Sequence, residues 1–187
     1  MNINLPITHI RHYRATSLHI IISRLSTSTM VRFIARRSKA QVVAPARQTP
    51  REIKALSEMD DCAYLNYYIC AALFFRQARR HEPTVDPAKA IRAALAEALV
   101  HYYPLAGRLR EMPGGRLVVD CTAEGVVFVE ADADVRLEDF GQPPLPPYPC
   151  VEELSCDVDG YTPVLGNPLV YMQVLLIIYH LSPLVFE

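Results

Sequence analysis

Alternation of apolar and polar positions divides this 187-residue chain into short elements. Apolar runs at residues 31–35 and 41–44 predict strands, because Val, Ile and Phe suit a pleated, half-buried surface. Thr49-Pro50-Arg51-Glu52 has the form of a capping box with proline in the first helical turn. It predicts a short helix running to residue 57 or 59. The aromatic and apolar stretch 67–77 predicts a buried strand. The clearest periodicity lies in 86–102, where Ile91, Ala94, Leu95, Ala98, Leu99 and Tyr102 recur at three- and four-residue spacing. Lys89, Arg92 and Glu97 fall off that stripe. Asp86 is placed to cap this helix, Pro87 to open it and Pro104 to end it.

Beyond Pro104 the pattern shortens. Residues 116–121 follow a Pro113-Gly114-Gly115 turn, and with 125–130 they predict an antiparallel hairpin. Residues 142–149 hold five prolines and predict a loop. Residues 169–179 are almost wholly apolar and predict a buried strand. The tract 169–186 approaches the length of a membrane span. Gln173, His180, Ser182 and Pro183 interrupt it without a flanking basic cluster, which favours a core strand and no membrane.

Composition supports a folded chain, since 51% of residues are hydrophobic and 15 prolines stand against 7 glycines. The net charge of −1 hides an asymmetry. Residues 1–51 carry nine Lys or Arg and no acid, and the remainder carries ten basic against twenty acidic residues. A basic arm suits nucleic acid, an anionic membrane or a targeting peptide. Its scattered charges lack interleaved aromatics and the body is acidic, so nucleic acid is not the expected partner. Residues 1–29 read as an extension ahead of a natural start at Met30, with an organelle transit peptide as the alternative to a cytoplasmic protein. The five cysteines are odd in number and form no C-x-x-C pair. That disfavours a disulfide framework or a metal site and predicts buried free thiols.

The most diagnostic stretch is His101-Tyr102-Tyr103-Pro104-Leu105-Ala106-Gly107-Arg108-Leu109. A helix delivers aromatics to the core, proline stops it, Gly107 permits a tight turn into a strand, and Arg108 is anchored there. The stretch resembles the Y-x-P-x-A-G-R-L signature of the BAHD acyl-CoA-dependent acyltransferases. Its structural positions here are Tyr103, Pro104, Ala106, Gly107 and Arg108. Leu56-Ser57-Glu58-Met59-Asp60 resembles the family's L-S-x-x-D element, and Asp120-Cys121-Thr122-Ala123-Glu124-Gly125-Val126 its D-C-x-x-x-G-V element. Phe128-Val129-Glu130-Ala131-Asp132-Ala133 resembles its F-x-E-A-x-A strand, and residues 165–174 the strand leading to its catalytic loop. The closest flavour is that of alcohol acyltransferases of the benzyl alcohol O-benzoyltransferase type.

The resemblance implies an α/β fold with a mixed sheet, the N-terminal half of a chloramphenicol acetyltransferase-like two-domain structure. Residues 30–174 would form that incomplete domain, and 175–187 a divergent tail. It implies acyl-CoA as co-substrate, an alcohol acceptor, no bound cofactor and no metal. The family's chemistry rests on an H-x-x-x-D motif whose His is the general base, a role suited to a pKa near the operating pH. No H-x-x-x-D occurs here. His9, His12, His19, His81, His101 and His180 are followed four residues on by Tyr13, Thr16, Ser23, Val85, Leu105 and Leu184. The family's D-F-G-W-G is also missing, and Asp139-Phe140-Gly141 continues as Gln142-Pro143. The expectation is an acyltransferase relative with no catalytic residue of its own. Asp60 and Tyr64, after the L-S-x-x-D element, are the candidates to touch substrate. The alternative is a non-catalytic binding module or an unstable gene product. Family members are usually monomers, but uncovered strand edges here favour self-association.

Overall fold

Val126–Ala133 is the longest strand among the described residues (β6), and its run of Val, Val, Phe and Val explains both its extended backbone and its central place. The computed structural model describes residues 31–61, 67–75, 86–156 and 163–177. On one side of β6 lie Arg36–Arg37 (β1) and Gln41–Val43 (β2), both antiparallel, with Arg36 opposite Asp132 and Val43 opposite Val126. On the other side Tyr171–Ile177 (β7) runs parallel, from Val127 opposite Tyr171 to Ala133 opposite Ile177. A second sheet has the order β3-β5-β4, built from Ile53–Ala55 (β3), Arg108–Glu111 (β4) and Leu117–Asp120 (β5). One α-helix is found among the described residues, Pro87–His101 (α1). The class is mixed α/β, as the sequence implies.

Each face of the first sheet has its own core. Val126 and Phe128, both fully buried, meet Leu99 and the half-buried Leu95 and Ala96 of α1. Complete burial of a side chain such as Phe128 stabilises the fold by about 2–3 kcal/mol. Ala133 and Val135 meet Phe33, Phe140, Phe74 and Tyr148 on the opposite face, with Leu175 and Ile177 beside them. The second sheet packs Leu109, Val119 and Cys121 against Val164.

Helix α1 begins as expected, with the Asp86 carboxylate accepting the Ala88 N–H at 3.0 Å. Its buried face is rotated from the expected stripe: Ala88 and Leu99 are buried, whereas Ile91 and Tyr102 are 39% and 65% exposed. The helix holds so much alanine that two stripes are apolar, and the sheet beneath it selects one.

Four other expectations are corrected. Residues 31–35 alternate in burial like a strand, but the paired ladder begins only at Arg36, and the Ala35 N–H goes to the Glu153 carboxylate at 3.0 Å. The capping box at 49–52 starts no helix. The Glu52 carbonyl accepts the Cys121 N–H at 2.9 Å, and Ile53 then pairs with Asp120, so the ladder to β5 overrides the local cap. Residues 67–75 form no strand; Tyr68 and Phe74 point inward while Tyr67, Ile69, Leu73 and Phe75 are exposed. Residues 76 and 77 of that expected strand lie outside the described residues. The expected hairpin of 116–121 with 125–130 does not form either, because β5 and β6 belong to different sheets. Ala123 at φ 57° and Gly125 at φ 94° redirect the chain between them, and the hairpin partner of β5 is β4.

Residues 142–149 form no ladder strand, in keeping with the prolines. Strand β7 lies where an apolar strand was expected and is half-buried; it continues past residue 174 to Ile177. No helix among the described residues is long and apolar enough to cross a membrane. Cys121 is buried and Cys150 and Cys156 are half-buried, but Cys70 is exposed, against expectation; Cys62 lies outside the described residues.

Arg37 clasps this sheet. Its guanidinium donates to the Gln173 side-chain oxygen at 2.8 Å, to the Glu152 carbonyl at 3.0 Å and to the Ser155 carbonyl at 3.1 Å. It also pairs with Glu153 at 3.1 Å, and the Gln173 amide donates to the Glu153 carbonyl at 2.8 Å. The clasp spans from β1 across β6 to β7 and pins the Val151–Glu153 turn. Arg37→Ala leaves several part-buried acceptors unmet and is expected to cost about 2 kcal/mol, read as a lower urea midpoint with an unchanged m-value.

Candidate functional site

The signature stretch forms a junction between the two sheets. Helix α1 ends at His101, and Tyr102 leaves helical geometry while its N–H still donates to Ala98. Pro104 cannot continue the ladder of α1, and Tyr103–Ala106 tightens into a 3-10 turn closed by the Gly107 N–H on the Pro104 carbonyl at 3.0 Å. Strand β4 starts at Arg108, directly after the turn.

Gly107 is needed for space rather than for turning. Its backbone is extended, with φ −89° and ψ −161°, which any residue adopts. A β-carbon there would penetrate the Asp120 carbonyl oxygen of β5. Gly125 meets both demands: it lies at φ 94°, and a β-carbon would strike the Val43 carbonyl. The Gly125 N–H donates to the Ala106 carbonyl at 2.9 Å, and Ala106 is wholly buried.

Arg108 ties these close approaches together. One terminal nitrogen donates to the Gly107 carbonyl at 2.7 Å and the Gly125 carbonyl at 2.9 Å, while Nε faces Glu124 at 3.4 Å. Its side chain is only 12% exposed. At this depth a guanidinium is tolerated because carbonyls and a carboxylate replace its water. Asp120, also largely buried, pairs with Arg110 at 2.9 Å and lies 3.7 Å from Arg51.

On the outside of the junction the Tyr103 hydroxyl donates to Glu52, and Lys54 sits 3.1 Å from Glu52 and 5.5 Å from the Tyr103 ring centre. The Tyr103 hydrogen bond, then Lys54, hold the Glu52 carboxyl below its ordinary pKa. The same hydroxyl, then Glu52, raise Lys54.

Asp60 closes an exposed surface turn. Its carboxylate accepts from the Ser57 hydroxyl at 2.7 Å, and its N–H donates to the Ser57 carbonyl at 3.0 Å. Tyr64 lies outside the described residues. Asp60 is therefore not brought to the junction. Its neighbour Asp61 reaches β5 instead, accepting the Leu117 N–H at 2.9 Å. Sequence reasoning missed Asp61, Glu52 and Asp120 as anchors, although D-D after the L-S element was a visible signal.

Two shallow depressions flank the junction. One, of about 450 Å³, is lined by residues including Arg47, Thr49, Arg51, Cys121 and Thr122. The other, of about 550 Å³, includes Arg108, Arg110, Glu124, Leu165 and Gly166. Burial pushes the Cys121 thiol up, so it stays protonated and poorly nucleophilic. Among the described residues no group of three His, Cys, Asp or Glu is placed to hold a metal ion. The geometry of this site is that of a structural junction.

Two outcomes follow from it. Gly107→Ala must push β4 from β5 and is expected to destabilise by about 3 kcal/mol, measured by urea unfolding. Glu52, with a folded pKa below its ordinary 4.5, contributes stability that is present above that value and lost as pH falls through the lowered one. Tyr103→Phe removes the main cause of the shift, so the fall in Tm on the acid side is expected to be shallower than in the parent chain.

Comparison with known proteins gives this junction its context. The model of the Transferase family matches residues 34–175. "Acyl transferase 1" of Oryza sativa subsp. japonica is 61% identical over 155 residues, covering 78% of this chain and 32% of that protein. "Spermidine hydroxycinnamoyltransferase 1" of the same organism is 56% identical, covering 75% of this chain and 32% of the relative. "Benzyl alcohol O-benzoyltransferase" of Nicotiana tabacum is 51% identical, covering 76% and 31%. The chain thus spans about a third of the length of the curated relatives it matches. With a family match from residue 34 to 175 that spans the motif-bearing stretches from Leu56 to Val174, the chain belongs to the Transferase family, the BAHD acyltransferases.

Proposed function

We propose that this chain supplies the N-terminal part of an acyltransferase that moves an acyl group, of benzoyl or acetyl type, from acyl-CoA to an alcohol. The observation that carries the reading is the 51% identity to a benzyl alcohol O-benzoyltransferase over 142 residues, 76% of this chain. In this reading the two sheets belong to the N-terminal half of the family's two-domain fold, and the Arg108 junction fixes β4 and β5 against β6. Strand β7 then leads toward where the family's H-x-x-x-D loop is expected.

The 187 residues contain no H-x-x-x-D. On this reading they do not catalyse acyl transfer by themselves, because a positioned general base contributes about 100- to 10,000-fold and none is supplied. An amine acceptor is the second reading, favoured by the 56% identity to a spermidine hydroxycinnamoyltransferase.

Two assays test this. The purified chain, given benzoyl-CoA or acetyl-CoA with benzyl alcohol or spermidine, is expected to release CoA at the buffer rate; turnover well above it would sink the inactivity claim. Residues 34–175 grafted into the tobacco benzyl alcohol O-benzoyltransferase, replacing the aligned segment, are expected to keep benzoyl transfer within about tenfold of the parent. A folded graft that has lost transfer to benzyl alcohol but acylates spermidine would favour the amine reading. A folded graft that does neither would defeat the proposal.

A further inference from the structure

Residues 67–75 form no strand, yet they are anchored beside β7 at two points. The Tyr68 ring packs edge-on against Tyr171 with centres 5.2 Å apart, and its hydroxyl donates to the Pro168 carbonyl at 2.8 Å. The Phe74 ring lies 5.1 Å from both Phe140 and Tyr148, in the cluster that also holds Leu175 and Ile177. Burial alternates along the segment: Tyr68, Ala72 and Phe74 are half-buried, while Ile69, Ala71 and Leu73 are exposed. That alternation puts Cys70, itself exposed, on the side of Tyr68, Ala72 and Phe74. The stretch of β7 between Tyr171 and Leu175 is centred on Gln173.

A second segment reaches the same place. The Gln173 amide donates to the Glu153 carbonyl at 2.8 Å, and Arg37 bonds both the Gln173 side-chain oxygen and the Ser155 carbonyl. Cys156 follows directly and is half-buried. The two thiols also interact. Burial pushes the Cys156 thiol up, its own backbone and then the Arg37 guanidinium draw it down, and the charge of Cys70 raises it further. Such an influence decays with distance, so it agrees with the placement given by the ring contacts and by Arg37. Both thiols are free. Cys121 and Cys150 sit elsewhere: Cys121 is buried in the core of the second sheet, and the Cys150 thiol donates to the Val31 carbonyl at 3.8 Å.

We infer that Cys70 and Cys156 are a redox-sensitive pair, which a small disulfide such as oxidised glutathione closes into an intramolecular disulfide that staples residues 67–75 to the turn held by Arg37. Cys70, the more exposed thiol, meets the reagent first. Its thiolate attacks one glutathione sulfur, the glutathione S–S bond breaks, and one glutathione leaves as a thiolate that takes up a proton. The Cys156 thiolate then attacks the Cys70 sulfur, and the second glutathione leaves in the same way. The two cysteines lose two electrons and two protons, and one oxidised glutathione becomes two reduced ones. Because residues 67–75 belong to no strand, the backbone at Cys70 can shift to meet the geometry of the bond. The closed loop is long, so the link constrains the unfolded chain strongly.

The test uses the full chain with Cys62→Ser, which removes the cysteine outside the described residues as a competitor. It is treated with oxidised glutathione under native conditions and mapped by mass spectrometry without reduction. The expected product is a single chain lighter by two hydrogens, whose linked peptide joins Cys70 to Cys156. Its melting temperature is expected to rise by about 5 °C or more and to return on treatment with dithiothreitol. Adding Cys156→Ser should stop the reaction at a glutathione adduct on Cys70. Adding Cys70→Ser should slow the loss of the Cys156 thiol by about tenfold or more. Neither of these variants should gain melting temperature. Two thiols that stay free, separate adducts on both cysteines without a link, or links to Cys121 or Cys150 instead would each overturn the inference. So would a Cys70–Cys156 link that forms only in urea, since that would show the pair is not brought together by the fold.

Discussion

One guanidinium bonded to two carbonyls holds the two sheets of this protein in register. Arg108 bonds the carbonyl before it and that of Gly125, and so joins the end of the 3-10 turn to the start of β6. Almost everything nearby depends on that contact being short. Gly107 has no side chain because Asp120 backbone lies against it, and Gly125 has none because Val43 does. Substituting either glycine would separate strands that the arginine needs close.

Buried polarity is handled in the same way elsewhere. Arg37 and Gln173 spread their donors over Glu153 and the carbonyls of its turn. In both clusters backbone carbonyls do most of the accepting, so the charges report chain position as well as charge complementarity. Such clusters specify geometry more than they add stability, since desolvation offsets much of the Coulomb attraction. The stability itself rests on the apolar layers above and below β6.

Much of this was legible in the residues. The helix and its Asp86 cap, the strand character of 41–44, 126–130 and 171–177, and the importance of the stretch ending in Gly107 and Arg108 all follow from local chemistry. The capping box at 49–52 misled, because a side-chain cap is worth about 1 kcal/mol and a backbone ladder with β5 outweighs it. The helix face misled, because alanine is apolar on every side. The supposed hairpin misled, because its separation allowed a turn while the left-handed geometry of Ala123 and Gly125 sent the chain to another sheet. Of the two residues proposed to meet substrate, Asp60 closes its own turn, a local role that the L-S-x-x-D spacing already permitted.

The sequence by itself determined which segments are apolar, where the helix starts and stops, and to which family the ordered motifs belong. These are matters of neighbours within a few residues, where propensity, capping and spacing act directly. Tertiary structure alone decided that Gly107 is required for close approach rather than for turning, that β5 and β6 part company, and that β7 lies parallel to β6. Each of those depends on atoms distant in the chain: the Asp120 carbonyl beside Gly107, the Val43 carbonyl beside Gly125, and β6 beneath β7. No local pattern encodes such distances.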